Sequence, residues 1–157
     1  MKFLVDADSC PKSARELVVR RAKKLEARVI FAANRRIEAD GAQMEICSNK
    51  ENAADDRIVE LAEKGDLVIT RDIPLAKRVV EKEAAALDDR GRVFNQNNIN
   101  ELLSVRNFTV GLADNGLGIE RTANYGKKEL KSFADSLDRL LAKLSANQRP
   151  DTVRGCV

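Results

Sequence analysis

Short apolar runs alternate with helical apolar patterns along most of the chain. The clearest runs of strand length lie at residues 2–5, 29–33 and 66–70, and weaker ones lie at 44–47, 84–87 and 92–94. Runs of this length, bounded by polar or turn-forming residues and rich in β-branched side chains, are typical of buried strands. The first three are therefore predicted to be buried strands.

Between and after these runs, apolar residues recur at helical spacing. The predicted helices cover residues 11–25, 53–64, 74–83, 99–105 and 127–144. Pro11 and Pro74 suit the first turn of a helix, because proline lacks the N–H group that would have no partner there. Gly65 is expected to end the second helix in a left-handed conformation. Strands that alternate with helices predict an α/β three-layer sandwich with a mainly parallel central sheet.

At 157 residues the chain has the length of one domain, which we expect to span residues 1–145. Four glycines in polar surroundings between residues 111 and 126 predict a mobile loop before the last helix. Residues 146–157 are polar and are expected to form a disordered tail.

Hydrophobic residues make up 43% of the chain and charged residues 34%, a composition typical of globular proteins that fold in water. No apolar run approaches the length of about 20 residues that spans a bilayer. The first residues do not resemble a secretory signal. We therefore expect a cytoplasmic protein without a membrane partner.

The chain has no histidine and three cysteines, Cys10, Cys47 and Cys156. The absence of histidine excludes Ser-His and Cys-His catalytic arrangements and histidine metal sites. The cysteines are odd in number and too widely spaced for a structural zinc site, which argues against a disulfide framework or a zinc fold. The available chemistry is that of carboxylates, lysine, hydroxyl groups and metal-activated water.

The net charge of +3 is unevenly distributed. Residues 1–30 and 121–157 each carry a net charge of +4, whereas residues 31–120 carry −5. Basic segments around an acidic middle would suit RNA or another single-stranded nucleic acid approaching a metal site. The same distribution is also expected of the solvated faces of ordinary helices.

Four aspartates lie where predicted strands end or a predicted helix begins. Asp6 and Asp8 follow the first strand, Asp72 follows the run at 66–70, and Asp55 opens the second helix. In open α/β sheets, ligands bind at the carboxyl ends of the strands, where the strand order reverses. Carboxylates gathered there predict a catalytic site for Mg²⁺ or Mn²⁺, with these four aspartates as metal ligands. Aspartate is also favoured in turns and helix caps, so a purely structural role is the alternative.

Four neighbouring polar residues are candidates for binding a substrate. Thr70 and Ser9 would contact a metal-coordinated water or a phosphate group, or are simply turn hydroxyls. Lys12 and Arg71 lie near the predicted sheet edge and would contact a phosphate backbone, or are ordinary solvated charges.

Several motifs stand out in the chain: VDADSCP at residues 5–11, GDLVITRDIPLA at 65–76, RG at 90–91, NI at 98–99, FA at 133–134 and LDR at 137–139. Together they resemble the uncharacterised bacterial YaiI/YqxD family. That family is similar in turn to the PIN-like nucleases, whose sheet edge binds magnesium or manganese through acidic residues. The resemblance implies a PIN-like fold in which Asp6, Asp55 and Asp72 correspond to the nuclease acids, with Asp8 beside them. It also favours Asp55 over its neighbour Asp56 as the residue that faces the site.

The leading hypothesis is a metal-dependent nuclease or related phosphodiesterase that acts on RNA or DNA. Aspartate-nucleophile phosphatases also place Asp-x-Asp after the first strand, as at Asp6 and Asp8, but the later lysine and acidic pair of those enzymes are not evident in this chain. The third hypothesis is a non-catalytic metal- or RNA-binding module with the same fold. Aromatic residues, at 4% of the chain, offer few stacking platforms for single-stranded RNA.

Overall fold

The structure, a computed structural model, describes residues 1–37, 41–50, 52–114 and 125–148, with side chains described as far as residues 108 and 145 in the last two helices. In chain order the elements are β1 (Lys2–Asp6), α1 (Lys12–Lys24), β2 (Arg28–Ala33), β3 (Gln43–Ile46), α2 (Ala53–Leu61), β4 (Leu67–Ile69), α3 (Ile73–Glu81), β5 (Ala85–Leu87), β6 (Val93–Phe94), α4 (Ile99–Asp114) and α5 (Lys127–Gln148). The predicted α/β class is confirmed.

One six-stranded sheet runs through the described part of the chain, in the order β3-β2-β1-β4-β5-β6. Neighbouring strands are parallel except β5 and β6, which are antiparallel. The chain starts at the middle of the sheet, builds outward to β3, and returns through α2 to β4 on the other side of β1. The strand order therefore reverses between β1 and β4, and the carboxyl ends of these two strands flank the crevice that such a reversal creates.

The core has two layers, one on each face of the sheet. In the first, Phe3 and Val5 of β1 share a cluster with side chains of α1 and with Phe133 of α5. In the second, Leu4 of β1 shares a cluster with Ile58 of α2 and with side chains of α3 and α4. Because successive side chains of a strand point to opposite faces, β1 must be apolar at every position between its ends. The result is a three-layer sandwich with a mainly parallel central sheet.

A charged contact aligns the amino ends of β1 and β4. The backbone N–H and the ammonium group of Lys2 donate to the buried carboxylate of Asp66, at 3.1 and 2.5 Å. The register that follows pairs Val5 with Ile69. The next residue of each strand is polar, so the opposite edge of this strand pair begins with an aspartate beside a threonine.

The turn between β5 and β6 packs directly against α5. The Asp88 carboxylate accepts hydrogen bonds from the backbone N–H groups of Arg90 and Arg92, at 2.9 and 2.8 Å. Gly91 has a φ of 95°, and its carbonyl accepts a 2.7 Å hydrogen bond from the Ser136 hydroxyl of α5. A Cβ atom at Gly91 would lie 2.6 Å from a backbone oxygen of α5. This turn therefore requires glycine both for its φ and for its close approach to the helix.

Helix α2 is shorter than predicted. It ends at Leu61, and the fully buried Ala62 is already extended, with φ −69° and ψ 135°. Gly65 has the predicted left-handed conformation, with a φ of 86°, but it lies in the turn that leads into β4. Its predicted role as the cap of α2 is wrong, because burial of Ala62 turns the chain toward the sheet before the helix can continue.

Two predicted irregular segments are partly helical. Helix α4 continues to Asp114, so residues 111–114 of the predicted mobile loop are helical despite Gly111, and residues 115–124 lie outside the described residues. Helix α5 continues to Gln148, which takes in the first residues of the predicted tail, and residues 149–157 also lie outside the described residues. No helix in the described ranges combines the length and the apolar character needed to cross a membrane.

We expect Gly91→Ala to destabilise the fold by roughly 2–4 kcal/mol. About 1–2 kcal/mol of this arises from the positive φ, and the rest arises because the turn must move away from α5. Urea unfolding followed by circular dichroism measures the difference.

Gly41→Ala is the matched control, because Gly41 has a similar φ of 90° but its added Cβ would meet only the end of the Val19 side chain at 3.3 Å. The control should lose only the stability that depends on the positive φ, about 1–2 kcal/mol. Equal losses at the two glycines would contradict the tight packing of the turn against α5.

Candidate functional site

Asp6 is the first polar residue that β1 places at the carboxyl edge of the sheet. Its side chain is 8% exposed, and Oδ2 accepts hydrogen bonds from the hydroxyl groups of Thr70 at 3.1 Å and Ser9 at 3.2 Å. Thr70 follows β4, and Ser9 lies in the turn between β1 and α1. Two neighbouring segments therefore hold the Asp6 carboxylate in one orientation.

Thr70 also connects Asp6 to the start of α3. Its buried hydroxyl accepts a 3.0 Å hydrogen bond from the backbone N–H of Asp72. Asp72 is the N-cap residue of α3, and its Oδ1 atom accepts a 3.1 Å hydrogen bond from the backbone N–H of Leu75. This cap satisfies one of the free N–H groups of the first helical turn and fixes the side chain of Asp72 at the crevice.

Asp55 reaches the same crevice from the first turn of α2. This helix packs on the sheet through Ile58, which is fully buried in the cluster that contains Leu4. Burial of Asp55, followed by the negative charges of Asp72 and Asp6 and a side-chain hydrogen bond with Asp72, raises the pKa of Asp55 to about 7. This carboxyl group therefore binds a proton more readily than an ordinary aspartate does.

Asp56 points away from the crevice. Its side chain is 64% exposed and forms a 2.8 Å salt bridge with Arg78 of α3. The geometry thus separates the two candidates that adjoin each other in the sequence, because Asp55 interacts with the other acids and Asp56 with a surface arginine.

Asp8 lies on the other rim of the site, nearer to β2. Its Oδ2 atom accepts a 3.0 Å hydrogen bond from the backbone N–H of Asn34, and its Oδ1 atom lies 3.6 Å from Nε of Arg35. The Asp8 side chain is 35% exposed, so it is more accessible to solvent than Asp6.

An open cavity of about 170 Å³ separates the β1 and α2 sides of the site. The residues that line it are Asp6, Asp8, Asn34, Ser48, Lys50, Asn52, Ala53, Ala54 and Asp55. The sequence did not point to Asn34, Ser48 or Lys50, which stand in loops after β2 and β3. The only signal available for them was their position after predicted strands, which many polar loop residues share.

Burial is the main electrostatic influence on Asp6. It raises the pKa of Asp6, hydrogen bonds from Thr70 and Ser9 lower it, and the charges of Asp72 and Asp8 raise it further. The first turns of α2 and α3 point toward the site, and the partial positive charge of a helix N-terminus favours carboxylates there. These contacts favour the charged form of Asp6, but burial and the neighbouring charges outweigh them, so the pKa of Asp6 is still raised.

The donor atoms at this site are those that Mg²⁺ and Mn²⁺ prefer, since both ions bind carboxylate oxygens. Within the part of the chain that the structure describes, however, no three acidic or cysteine side chains are already placed around a common metal position. The oxygen chemistry fits a divalent cation, but the carboxylates would have to move closer together to hold one.

The predicted substrate-binding residues differ in their surroundings. Thr70 and Ser9 contact Asp6, and Thr70 is only 2% exposed, so its hydroxyl orients the acids. Lys12 is solvent-exposed, and its Nζ atom lies 4.0 Å from the Glu16 carboxylate of the same helix. Arg71 pairs with the buried Asp89 and lines a different, larger groove.

Sequence comparisons connect this chain with a set of bacterial proteins. A family model described as "Uncharacterized BCR, YaiI/YqxD family" matches residues 4–143. A UPF0178 protein of Treponema denticola is 48% identical over 97% of this chain and 99% of the relative. A UPF0178 protein of Stutzerimonas stutzeri is 42% identical over 94% of this chain and 100% of the relative. No solved structure matches the chain significantly.

The raised pKa of Asp55 predicts a pH-dependent stability. A carboxyl group whose pKa rises from 3.8 to about 7 on folding binds a proton more tightly in the folded protein. The stabilising contribution of this group to the free energy of unfolding is present at low pH and is lost as the pH rises from about 4 to about 7. We therefore expect Asp55→Asn to be more stable than the wild type near pH 8 by about 1 kcal/mol, after allowance for solvent screening, and to match it near pH 4.

Urea unfolding in the presence of EDTA at the two pH values measures this effect. Asp56→Asn is the control, because it removes an adjacent carboxylate from an exposed salt bridge and should change stability by less than about 1 kcal/mol at either pH. If Asp55→Asn has no greater effect near pH 8 than this control, the proposed crowding of the carboxylates is wrong.

Proposed function

The chain belongs to the uncharacterised YaiI/YqxD family, and because that description carries no activity, we propose from the site itself that the protein is a metal-dependent phosphodiesterase acting on RNA or DNA. The observation that carries this proposal is the meeting of Asp6, Asp55 and Asp72 at the reversal point between β1 and β4. They come from three different segments of the chain, and each raises the pKa of another or interacts with it.

Such crowding is unfavourable for a protein that only needs to fold. Helix capping explains Asp72, but it does not explain why Asp6 and Asp55 face the same crevice with raised pKa values. A divalent cation would offset the repulsion by supplying positive charge where the raised pKa of Asp55 favours a bound proton. The arrangement supports a site that is strained without a cation and relaxed with one.

The candidate ligands are Asp6, Asp55 and Asp72, with Asp8 on the rim. When bound, Mg²⁺ or Mn²⁺ supplies Lewis-acid stabilisation of a phosphodiester and lowers the pKa of the attacking water. The chain's own residues would orient the reacting groups. Thr70 and Ser9 hold the Asp6 carboxylate, and Lys50, which lines the same cavity, supplies positive charge for a phosphate group.

The resemblance to PIN-like nucleases supports the same proposal, since those enzymes use carboxylates at the corresponding sheet edge. The aspartate-nucleophile phosphatase finds less support. Its nucleophile must be reached by the phosphorus atom, whereas Asp6 is 8% exposed and Oδ2 already accepts two hydrogen bonds.

We expect Mn²⁺ or Mg²⁺ to stabilise the wild-type protein against unfolding, by about 2.7 kcal/mol at a hundredfold excess over Kd. Asp6→Asn and Asp72→Asn should fold without metal, because each removes one of the repelling charges, but they should lose most of this stabilisation. Urea unfolding with and without Mn²⁺, together with calorimetric titration, measures the effect.

Asp56→Asn serves as the control for these variants, because it removes the same charge from a carboxylate outside the crevice. It should retain the full response to Mn²⁺. If the wild type does not respond to either cation, or if Asp6→Asn and Asp72→Asn respond as Asp56→Asn does, the metal site is excluded.

The activity is tested by incubating single-stranded RNA and DNA with the protein and Mn²⁺. Cleavage should fall by roughly two orders of magnitude or more in Asp6→Asn and Asp72→Asn and persist in Asp56→Asn. Cation binding without cleavage of any nucleic acid would favour the non-catalytic module. Hydrolysis of phosphomonoesters alone would favour the phosphatase.

A further inference from the structure

A second, larger concave surface adjoins the carboxylate site at the same edge of the sheet. This arginine groove has a volume of about 870 Å³ and is lined by Arg71, Asp88, Asp89, Arg90, Gly91, Arg92 and Arg106. We propose that the arginine groove binds the phosphate backbone of a single nucleic-acid strand and delivers that strand to the carboxylate site. The choice of ligand rests on the proposed function, whereas binding in the groove does not require metal.

Arg71 is held in place at the floor of the groove by a buried carboxylate. Its Nη2 and Nε atoms lie 2.5 and 2.7 Å from Oδ2 of Asp89, which is only 1% exposed. The other oxygen of Asp89 has no hydrogen-bond partner among the described residues, so Arg71 is the main compensation for this buried charge. The Arg71 side chain is still 46% exposed, which leaves part of the guanidinium group accessible to a phosphate.

The turn between β5 and β6 presents two more arginines on a rigid backbone. Asp88 holds the N–H groups of Arg90 and Arg92, and Gly91 fixes the turn against α5. The Arg90 guanidinium lies 6.0 Å from the centre of the Tyr125 ring, close enough for a cation–π contact. Because the backbone and Arg90 are already ordered, less conformational entropy is lost when a ligand binds.

The groove is positive within an acidic part of the chain. All of its residues belong to the segment 31–120, whose net charge is −5. Nevertheless the groove contains four arginines and two aspartates, and one of those aspartates is buried against Arg71. The Arg92 side chain forms no salt bridge within the described ranges. This local concentration of guanidinium groups matches the bidentate geometry of phosphate oxygens.

The position of the groove suits a strand that passes from the arginines to the acids. Arg71 and Asp72 are consecutive residues after β4, and the hairpin arginines follow β5. Since adjacent strands lie about 4.8 Å apart, the end of β5 is about 10 Å from the end of β1, where Asp6 lies. A volume of about 870 Å³ is in the range of clefts for small ligands, so it accommodates a short stretch of one strand.

The test uses Arg92→Gln/Arg106→Gln, which removes two exposed guanidinium groups and leaves the Arg71–Asp89 pair intact. Binding of a fluorescent single-stranded RNA oligonucleotide is measured by anisotropy in EDTA over a range of salt concentrations. We expect affinity to fall at least tenfold at low salt. The slope of log K against log salt should become shallower by about 1.4, because each lost phosphate contact contributes about 0.7 for a single strand.

Arg20→Gln/Arg139→Gln is the matched control, with the same loss of charge on the exposed surfaces of α1 and α5. This control should bind RNA with nearly the affinity and salt slope of the wild type. The inference is overturned if the control loses as much affinity as the groove variant, or if the wild type binds no single strand at low salt. Circular dichroism confirms that both double variants are folded.

Failure of the metal-dependent activity is distinguishable from failure of this inference. RNA binding in EDTA that depends on Arg92 and Arg106 supports the groove even if no cleavage occurs with Mn²⁺. Cleavage that depends on Asp6, with unchanged RNA binding by the groove variant, overturns the groove and retains the proposed activity.

Discussion

The pairing of β1 with β2 on one side and with β4 on the other determines where the polar groups of this protein lie. A strand in the middle of a parallel sheet is covered on both faces, so β1 is apolar from Phe3 to Val5, between its two ends. Its first carboxylate is therefore that of the buried Asp6, at the edge where the strand order reverses. The neighbouring β4 leaves the sheet at the same level and supplies Thr70 and Asp72.

The acids at this edge are kept together by contacts that restrain them without neutralising them. Thr70 links Asp6 to the backbone of Asp72, and Asp72 is tied to the first turn of α3. Helix α2 places Asp55 beside the other acids because Ile58 of the same helix is buried in the core. Apolar packing, rather than electrostatic attraction, therefore positions Asp55. Packing of apolar surface is strong enough to hold a few repelling carboxylates near one another, at the expense of raised pKa values. Strain of this kind is found at functional sites more often than elsewhere.

The sequence predicted those features that follow from a local pattern. An apolar run followed within three residues by an acid identified Asp6 and Asp72 as candidates, because each strand and the acid that follows it are close together in the chain. The local pattern did not distinguish Asp55 from Asp56, and Asp55 was favoured only by the resemblance to PIN-like nucleases. The orientation of α2 on the sheet, which separates the two side chains, depends on contacts between distant residues. The sequence did not identify Lys50 as a site residue, because it lies in a loop without a distinguishing pattern. Asp89 was hidden in a polar turn sequence, and only the fold shows that its side chain is buried against Arg71.

Two regions of opposite charge meet at this edge of the sheet, and the order of the strands explains how they coexist. The acids gather between β1 and β4, whereas the arginines lie beyond β4, around the turn that follows β5. Arg71 and Asp72 are neighbours in the chain, yet each is bound to a different structure: Arg71 to the buried Asp89, and Asp72 to α3. Because each side chain is held by a different partner, Arg71 and Asp72 do not neutralise each other. Under the proposed function this separation is necessary, because a phosphate strand needs the arginines for its affinity while the acids must remain available for a cation. If the same arginines and aspartates formed a single mixed cluster, they would form salt bridges with one another and would bind neither a phosphate group nor a cation.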